Sequence, residues 1–222
     1  MSEVATIGFW RDRAVRPGPE NMAVDSWLLE REEEPLLRVY DWQGDWGSLG
    51  YFGAVAEARA TMPGVSLVRR ATGGGLVDHR HDWTYTLVLP RGCGLVGRKG
   101  DESYRVIHSA LAEVLREAGA DVSLVKEDSP VESPACFERP VAWDLVDGNG
   151  DKVAGAGQRR SRRGLLHQGS VMFGEGVDGD ALFGSLADRL AEEVSRIRRE
   201  PPGEDIAALV DQFSSPSWTE RR

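Results

Sequence analysis

Hydrophobic and polar positions follow two periods along the 222 residues, and the switches between them mark out elements. Residues 20–31 carry Val24, Trp27, Leu28 and Arg31 at helical spacing and predict an amphipathic helix. Residues 36–40 read as a short strand, while 42–53 place glycine at 44, 47, 50 and 53, which predicts turns or weak strand and excludes helix. Strands at 65–70 and 83–89 lie on either side of three consecutive glycines at 73–75. The clearest helix is 101–118, where Ile107, Ala110, Leu111, Val114, Leu115 and Ala118 form one stripe, Asp101 is a candidate cap and Gly119 a stop. Beyond a strand-like 122–125, residues 127–140 hold three prolines and no period, which predicts a loop. Strands are expected at 141–146, 152–154 and 165–173, with Asp-Gly-Asn-Gly at 147–150 a hairpin turn. Helices are expected at 179–198, striped by Phe183, Leu186, Leu190, Val194 and Ile197, and at 204–213. Strands with helices inserted in groups, without regular βαβ alternation, give an α+β class: a mixed sheet with flanking helices.

Composition narrows the class. An apolar fraction of 41%, a charged fraction of 28% and a mean hydropathy of -0.37 allow a packed core and exclude a wholly disordered chain. No apolar run approaches the roughly 18–20 residues of a membrane span, and the N-terminus lacks a basic-then-apolar leader. The expectation is a cytoplasmic chain with one domain over 1–222. Two cysteines make no disulfide scaffold, and four histidines do not suggest a multi-ligand zinc site. Of 27 basic residues only Lys99, Lys126 and Lys152 are lysine. Because arginine does not usefully deprotonate, lysine in such a chain marks places where a primary amine is needed.

Four features carry candidate chemistry. Arg69 and Arg70 precede Ala71-Thr72-Gly73-Gly74-Gly75, where missing Cβ atoms let backbone N–H groups approach a ligand; a flexible hairpin is the plain alternative. The spacing is neither a Walker loop nor Gly-x-Gly-x-x-Gly. Lys152 opens a strand of small residues, where an ammonium at the end of a groove polarises a carbonyl or balances a phosphate, or is merely solvated. Cys136, in a proline-rich loop, is either a nucleophile or an inert thiol, and Cys93 reads as inert. Four arginines within residues 159–163 form a solvated turn or a surface for an acidic partner. No aromatic residues interleave them, which argues against nucleic acid.

Taken in order, these motifs resemble the lipoate-protein ligase and octanoyltransferase family, whose biotin/lipoate protein ligase fold is class II synthetase-like. Asn21-Met22-Ala23-Val24-Asp25 is similar to that family's first-helix signature, and residues 69–79 to its Arg-Arg-x-Ser/Thr-Gly-Gly-Gly-x-Val-x-His loop. Lys152-Val153-Ala154-Gly155-Ala156-Gly157-Gln158 resembles its lysine strand, and Leu166-His167-Gln168-Gly169-Ser170 the segment after it. Pro134-Ala135-Cys136-Phe137-Glu138-Arg139-Pro140 resembles the nucleophile loop of a cysteine-dependent octanoyltransferase branch.

The resemblance implies Cys136 and Lys152 as catalytic residues. It implies substrate contacts from Arg70, Thr72, Gly73, Gly74, Gly75, Val77, His79, Val153, Ala154, Gly155, Ala156, His167 and Gly169. Octanoyl transfer from acyl carrier protein to a lysine of a lipoyl domain, such as glycine cleavage H protein or the E2 of a 2-oxoacid dehydrogenase, needs no cofactor. The alternative is a lipoate ligase that uses ATP and Mg through an acyl-adenylate. No membrane partner is implied. Three positions depart from the family pattern: Arg80 stands where Asp usually follows His79, with Asp82 three residues after the histidine; Gly75 is the ligase-like third loop residue; and Gly157 replaces an alanine. The chain also stops before the accessory domain that large ligases carry, which a separate subunit would supply.

Overall fold

The sheet starts on a strand that the hydrophobic pattern did not reveal. In the computed structural model, which describes residues 3–98, 101–126, 140–172, 174 and 177–221, β1 (Val4–Arg16) runs parallel to both β2 (Leu36–Trp42) and β11 (Ala191–Arg196). Between β1 and β2 lies α1 (Gly18–Arg31), entered through Pro17 and Pro19 and close to its predicted extent. With β6 (Trp83–Pro90), β7 (Val122–Leu124), β8 (Leu145–Asp147), β9 (Lys152–Arg160) and β10 (Gly164–Val171), these strands form an eight-stranded sheet in the order β11-β1-β2-β6-β10-β9-β8-β7. A three-stranded sheet of β4 (Ser66–Arg69), β3 (Trp46–Leu49) and β5 (Leu76–Asp78) stands apart from it and carries the glycine loop between β4 and β5.

Alternation along the strands separates two faces. Ile7, Phe9, Leu37, Val39, Leu87 and Leu89 pack with Ile107, Leu111 and Leu115 of α3 (Glu102–Glu117) and with Phe183 and Leu186 of α4 (Gly179–Leu190). Trp10, Leu36, Val88 and Leu166 point the other way, onto Val24 and Leu28 of α1. Beyond that face lie α5 (Gly203–Ser214), α6 (Pro216–Thr219) and the small sheet, with Phe213 packed near Met22, Val68 and Ala71.

Three local expectations are corrected. The helix expected over 179–198 ends at Leu190, because Ala191 turns extended (φ -129°, ψ 156°) and residues 191–196 pair with the free edge of β1. An edge strand with exposed Glu192 and Glu193 leaves Val194 on the period a helix would share. The strand expected over 141–146 shrinks to Leu145–Asp147, because the Asp144 amide donates back to the Val141 carbonyl in a turn. Asp101 sits at the α3 N-cap, but its carboxylate accepts from the Trp143 indole rather than from a helix amide. The pattern also gave no signal for the short α2 (Val55–Thr61). The Asp147–Gly150 turn does join β8 to β9 as a hairpin.

Candidate active site

The small sheet leans over β9 and β10, and the space between them is a cavity of about 610 Å³. Glycine makes the approach possible. A methyl on Gly50 would stand 1.9 Å from the Gly74 carbonyl oxygen, and one on Gly157 2.3 Å from that of Gly73. Gly74 itself adopts φ +96°, in the left-handed region. The departure at Gly157 therefore has a steric reason: the loop backbone occupies the place of an alanine side chain.

The paired arginines diverge. Arg69 is fully buried and donates to six carbonyls, those of Gly50, Tyr51, Gly53, Trp218, Thr219 and Arg221, which clamps the C-terminal segment to the loop. Arg70 lines the cavity and donates to the Ser48 carbonyl and hydroxyl, both at 2.7 Å, and to the carbonyls of Gly73 and Gly75. It has no carboxylate partner among the described residues, and burial pushes its pKa down to about 10, with Tyr40 opposing.

His79 also lines the cavity, yet both of its ring nitrogens are engaged. Nδ1 lies 2.8 Å from Asp82 Oδ2 and Nε2 2.6 Å from Ser48 Oγ, and the ring stacks on Trp42 at 4.0 Å. A carboxylate accepts, so Nδ1 donates to Asp82, and Nε2 shares its hydrogen bond with the Ser48 hydroxyl. Asp82 thus supplies the carboxylate that the resemblance expects directly after the histidine.

Lys152 stands at the other wall. Its Nζ lies 2.7 Å from Asp144 Oδ2, with the aspartate side chain wholly buried and the lysine side chain 34% exposed. Tyr104 donates to Asp144 Oδ1 at 2.5 Å. Just before Asp144, Trp143 adopts φ +71°, a conformation costing about 1–3 kcal/mol for a bulky residue. Behind the sheet lie His108, whose pKa burial pushes down to about 4, and His167, held well below the usual histidine range by burial and by His108. His108 Nδ1 donates to the Trp143 carbonyl at 2.7 Å, and its Nε2 has no partner among the described residues.

Of the residues singled out by resemblance, the structure places Arg70, Gly74, Gly75, Val77, His79, Lys152, Val153, Ala154, Gly155, Ala156 and Gly169 on the cavity. Thr72, Gly73 and His167 are not on its wall. Thr72 donates to Gln168 Oε1 at 2.8 Å, the Gly73 carbonyl is bound by Arg70, and His167 faces the α3 side of β10, beside Tyr85 and Gln158. Strand alternation turns the next residue, Gln168, to the cavity instead, with its amide fixed by Thr72 and by Asp25 (2.7 Å). Cys136 and Lys99 lie outside the described residues. The arginine run forms the β9/β10 hairpin: Arg160 donates to Val96 and Ser103, Arg163 pairs with exposed Glu30, and Arg159 and Arg162 are exposed. Sequence reasoning missed Ser48, Trp42, Tyr40 and Asp144. None of the four carried a sequence signal; Tyr40 meets the buried carboxylate of Asp25 only in the fold.

The lipoyl protein ligase A/B catalytic domain family model matches residues 17–214. Octanoyltransferase LipM of Kyrpidia tusciae is 33% identical over 219 residues, covering 90% of this chain and 77% of that protein. Octanoyltransferase LipM of Carboxydothermus hydrogenoformans is 34% identical, covering 95% and 80%. Among solved structures, lipoate-protein ligase A bound with ATP superimposes with a TM-score of 0.71 at 18% identity, covering 99% of both chains. A bipartite lipoate protein ligase from Thermoplasma acidophilum gives 0.67 at 18%, covering 99% and 97%. At such identities these structures speak for the shared fold alone. The sequence match over nearly the whole chain is decisive: this protein belongs to the lipoyl protein ligase A/B catalytic domain family.

Proposed function

We propose that this chain is an acyltransferase of protein lipoylation, moving an octanoyl group from acyl carrier protein to a lysine of a lipoyl domain through a thioester on Cys136. The observation that carries the reading is the combination of an apolar-walled cavity with one ammonium, Lys152, at its edge, in a chain whose curated relatives are octanoyltransferases. Met22, Trp42, Leu76, Val77, Val153 and Met172 suit an alkyl chain. At about 0.8 kcal/mol per buried CH₂, the six methylenes of an octanoyl group contribute about 5 kcal/mol.

Chain reach supports Cys136 as the nucleophile. Val141 lines the cavity, and Val125, just before the segment that bears Cys136, is hydrogen-bonded to Trp143 and Asp144. Val141, five residues after Cys136 in the sequence, therefore shares the cavity wall with Lys152. A thiolate attacks the donor thioester, the carrier thiolate leaves and takes the proton, and the acceptor amine then displaces the Cys136 sulfur, giving an amide and returning the thiol its proton. Lys152 stabilises the thiolate and the oxyanion that develops at the carbonyl. In this reading the reaction consumes no nucleotide, and Arg159 and Arg162 offer an electrostatic approach for acidic carrier and acceptor domains.

Incubation with octanoyl-acyl carrier protein without ATP is expected to add one octanoyl mass to the protein, removable by hydroxylamine and absent in Cys136→Ala. Lipoate-dependent pyrophosphate release that Cys136→Ala leaves unchanged would instead establish an ATP-dependent ligase.

A further inference from the structure

We propose that Asp144 and Tyr104 are positioning residues for acyl transfer, which fix the Lys152 ammonium at the cavity; the proposal rests on the role given to Lys152 above. The contacts form a closed ring. Lys152 Nζ meets Asp144 Oδ2 at 2.7 Å, Tyr104 donates to Asp144 Oδ1 at 2.5 Å, and the Tyr104 oxygen accepts the Ala156 amide at 2.8 Å. Ala156 lies on β9, the strand that begins with Lys152, so α3 ties the carboxylate to the strand bearing its cation. Asp144 also accepts the Val141 amide, which donates to Oδ2 at 2.9 Å.

Two backbone features serve this ring. A Cβ on Gly155 would stand 2.3 Å from Lys152 Cε and 2.5 Å from Nζ, so the glycine leaves the groove in which the lysine side chain lies. Trp143 holds its left-handed conformation under four constraints: its amide donates to Val125 O, its carbonyl accepts from His108, its indole donates to Asp101, and Arg105 lies 5.9 Å over its ring. Strain persists where surroundings over-determine it, and here the strained turn aims the next side chain, Asp144, inward. A flexible lysine stem is thereby held in one place, with its charge fixed by a partner that solvent does not reach.

The test compares Asp144→Asn and Tyr104→Phe in the full-length protein, with octanoyl-acyl carrier protein as donor and a lipoyl domain as acceptor. Asp144→Asn is expected to lower kcat about 100-fold, in the range of a lost electrostatic contact, with KM for the donor within about twofold. Tyr104→Phe, which removes one hydroxyl, is expected to lower kcat about fivefold. In both variants Lys152 is expected to react faster with a small amine-acylating reagent at fixed pH, read by site-resolved mass spectrometry, with the melting temperature unchanged, a combination that a merely structural role would not produce. Retention of wild-type kcat by Asp144→Asn, or unchanged Lys152 reactivity in both variants, overturns the proposal; should Asp144→Asn fail to fold, Tyr104→Phe decides alone. Lys152→Ala separates the two levels. Loss of transfer there with Asp144→Asn fully active overturns only the positioning role, whereas transfer by Lys152→Ala overturns the reading of Lys152 itself.

Discussion

Two ion pairs of nearly equal length serve opposite ends in this molecule. Arg38 meets Asp25 at 2.6 Å with both side chains at 0% exposure, whereas Lys152 meets Asp144 at 2.7 Å with the lysine side chain 34% exposed. Arg38 is closed on every side: it donates to Asp12, Asp25 and the Asn21 side chain and carbonyl, and stacks 4.0 Å over Tyr40. Burial opposes its charge, but Asp25 and Asp12 outweigh that, and its pKa is raised. The planar guanidinium suits such saturation, while a lysine presents one compact charge and keeps donors free for a ligand. A saturated pair holds α1 to the sheet; an unsaturated one faces the cavity.

Breaking the closed pair is expected to have the largest effect. Arg38→Ala leaves the buried Asp25 carboxylate without a cation and Asp12 with Arg16 alone, and is expected to cost about 3–5 kcal/mol in urea unfolding. A cost under about 1 kcal/mol would mean that the network contributes little to holding α1. Acidification tests the layer behind the open pair. His108 titrates at about 4 in the folded chain and near its ordinary value unfolded, so the unfolded state binds the extra proton between these limits. Stability is then complete above about pH 6.5 and is lost as pH falls toward 4, by up to about 3 kcal/mol for this group. His167, depressed in the same direction, adds to the loss. Thermal melts from pH 7.5 to 4.5 check this, and His108→Gln is expected to flatten the dependence. The smallest effect is expected at the wall between the two networks: Gly157→Ala forces a methyl against the Gly73 carbonyl and is expected to cost about 1–3 kcal/mol. It should also weaken acyl transfer, because the glycine loop must shift away from β9; unchanged activity would show that the loop yields without consequence.

Helix α3 was legible because its apolar stripe faces one core layer, and α1 because its apolar positions recur at helical spacing although they serve two layers, the sheet and the Phe213 cluster. β1 and β11 were not, because a strand pairing at or near a sheet edge need carry no clean alternation, and one of the two parallel partners of β1, β11, begins 187 residues after Val4 at Ala191. The glycine loop and Lys152 stood out through glycine clustering and lysine scarcity. Asp144 did not, because an aspartate in a turn looks the same whether it is solvated or buried against a lysine.

The sequence by itself determined the α+β class, the family, and which backbone segments approach a ligand, since these follow from local spacing, composition and missing Cβ atoms. Tertiary structure decided which neighbours share a face. It turned Gln168 rather than His167 to the cavity, sent Arg69 to the C-terminal carbonyls and Arg70 to the glycine loop, and brought Asp82 to His79. It also enclosed Asp144 beneath Lys152. The physical reason is that hydrogen bonds and charge pairs act over about 3 Å, while the residues that meet there are set by strand register and helix packing across the whole chain.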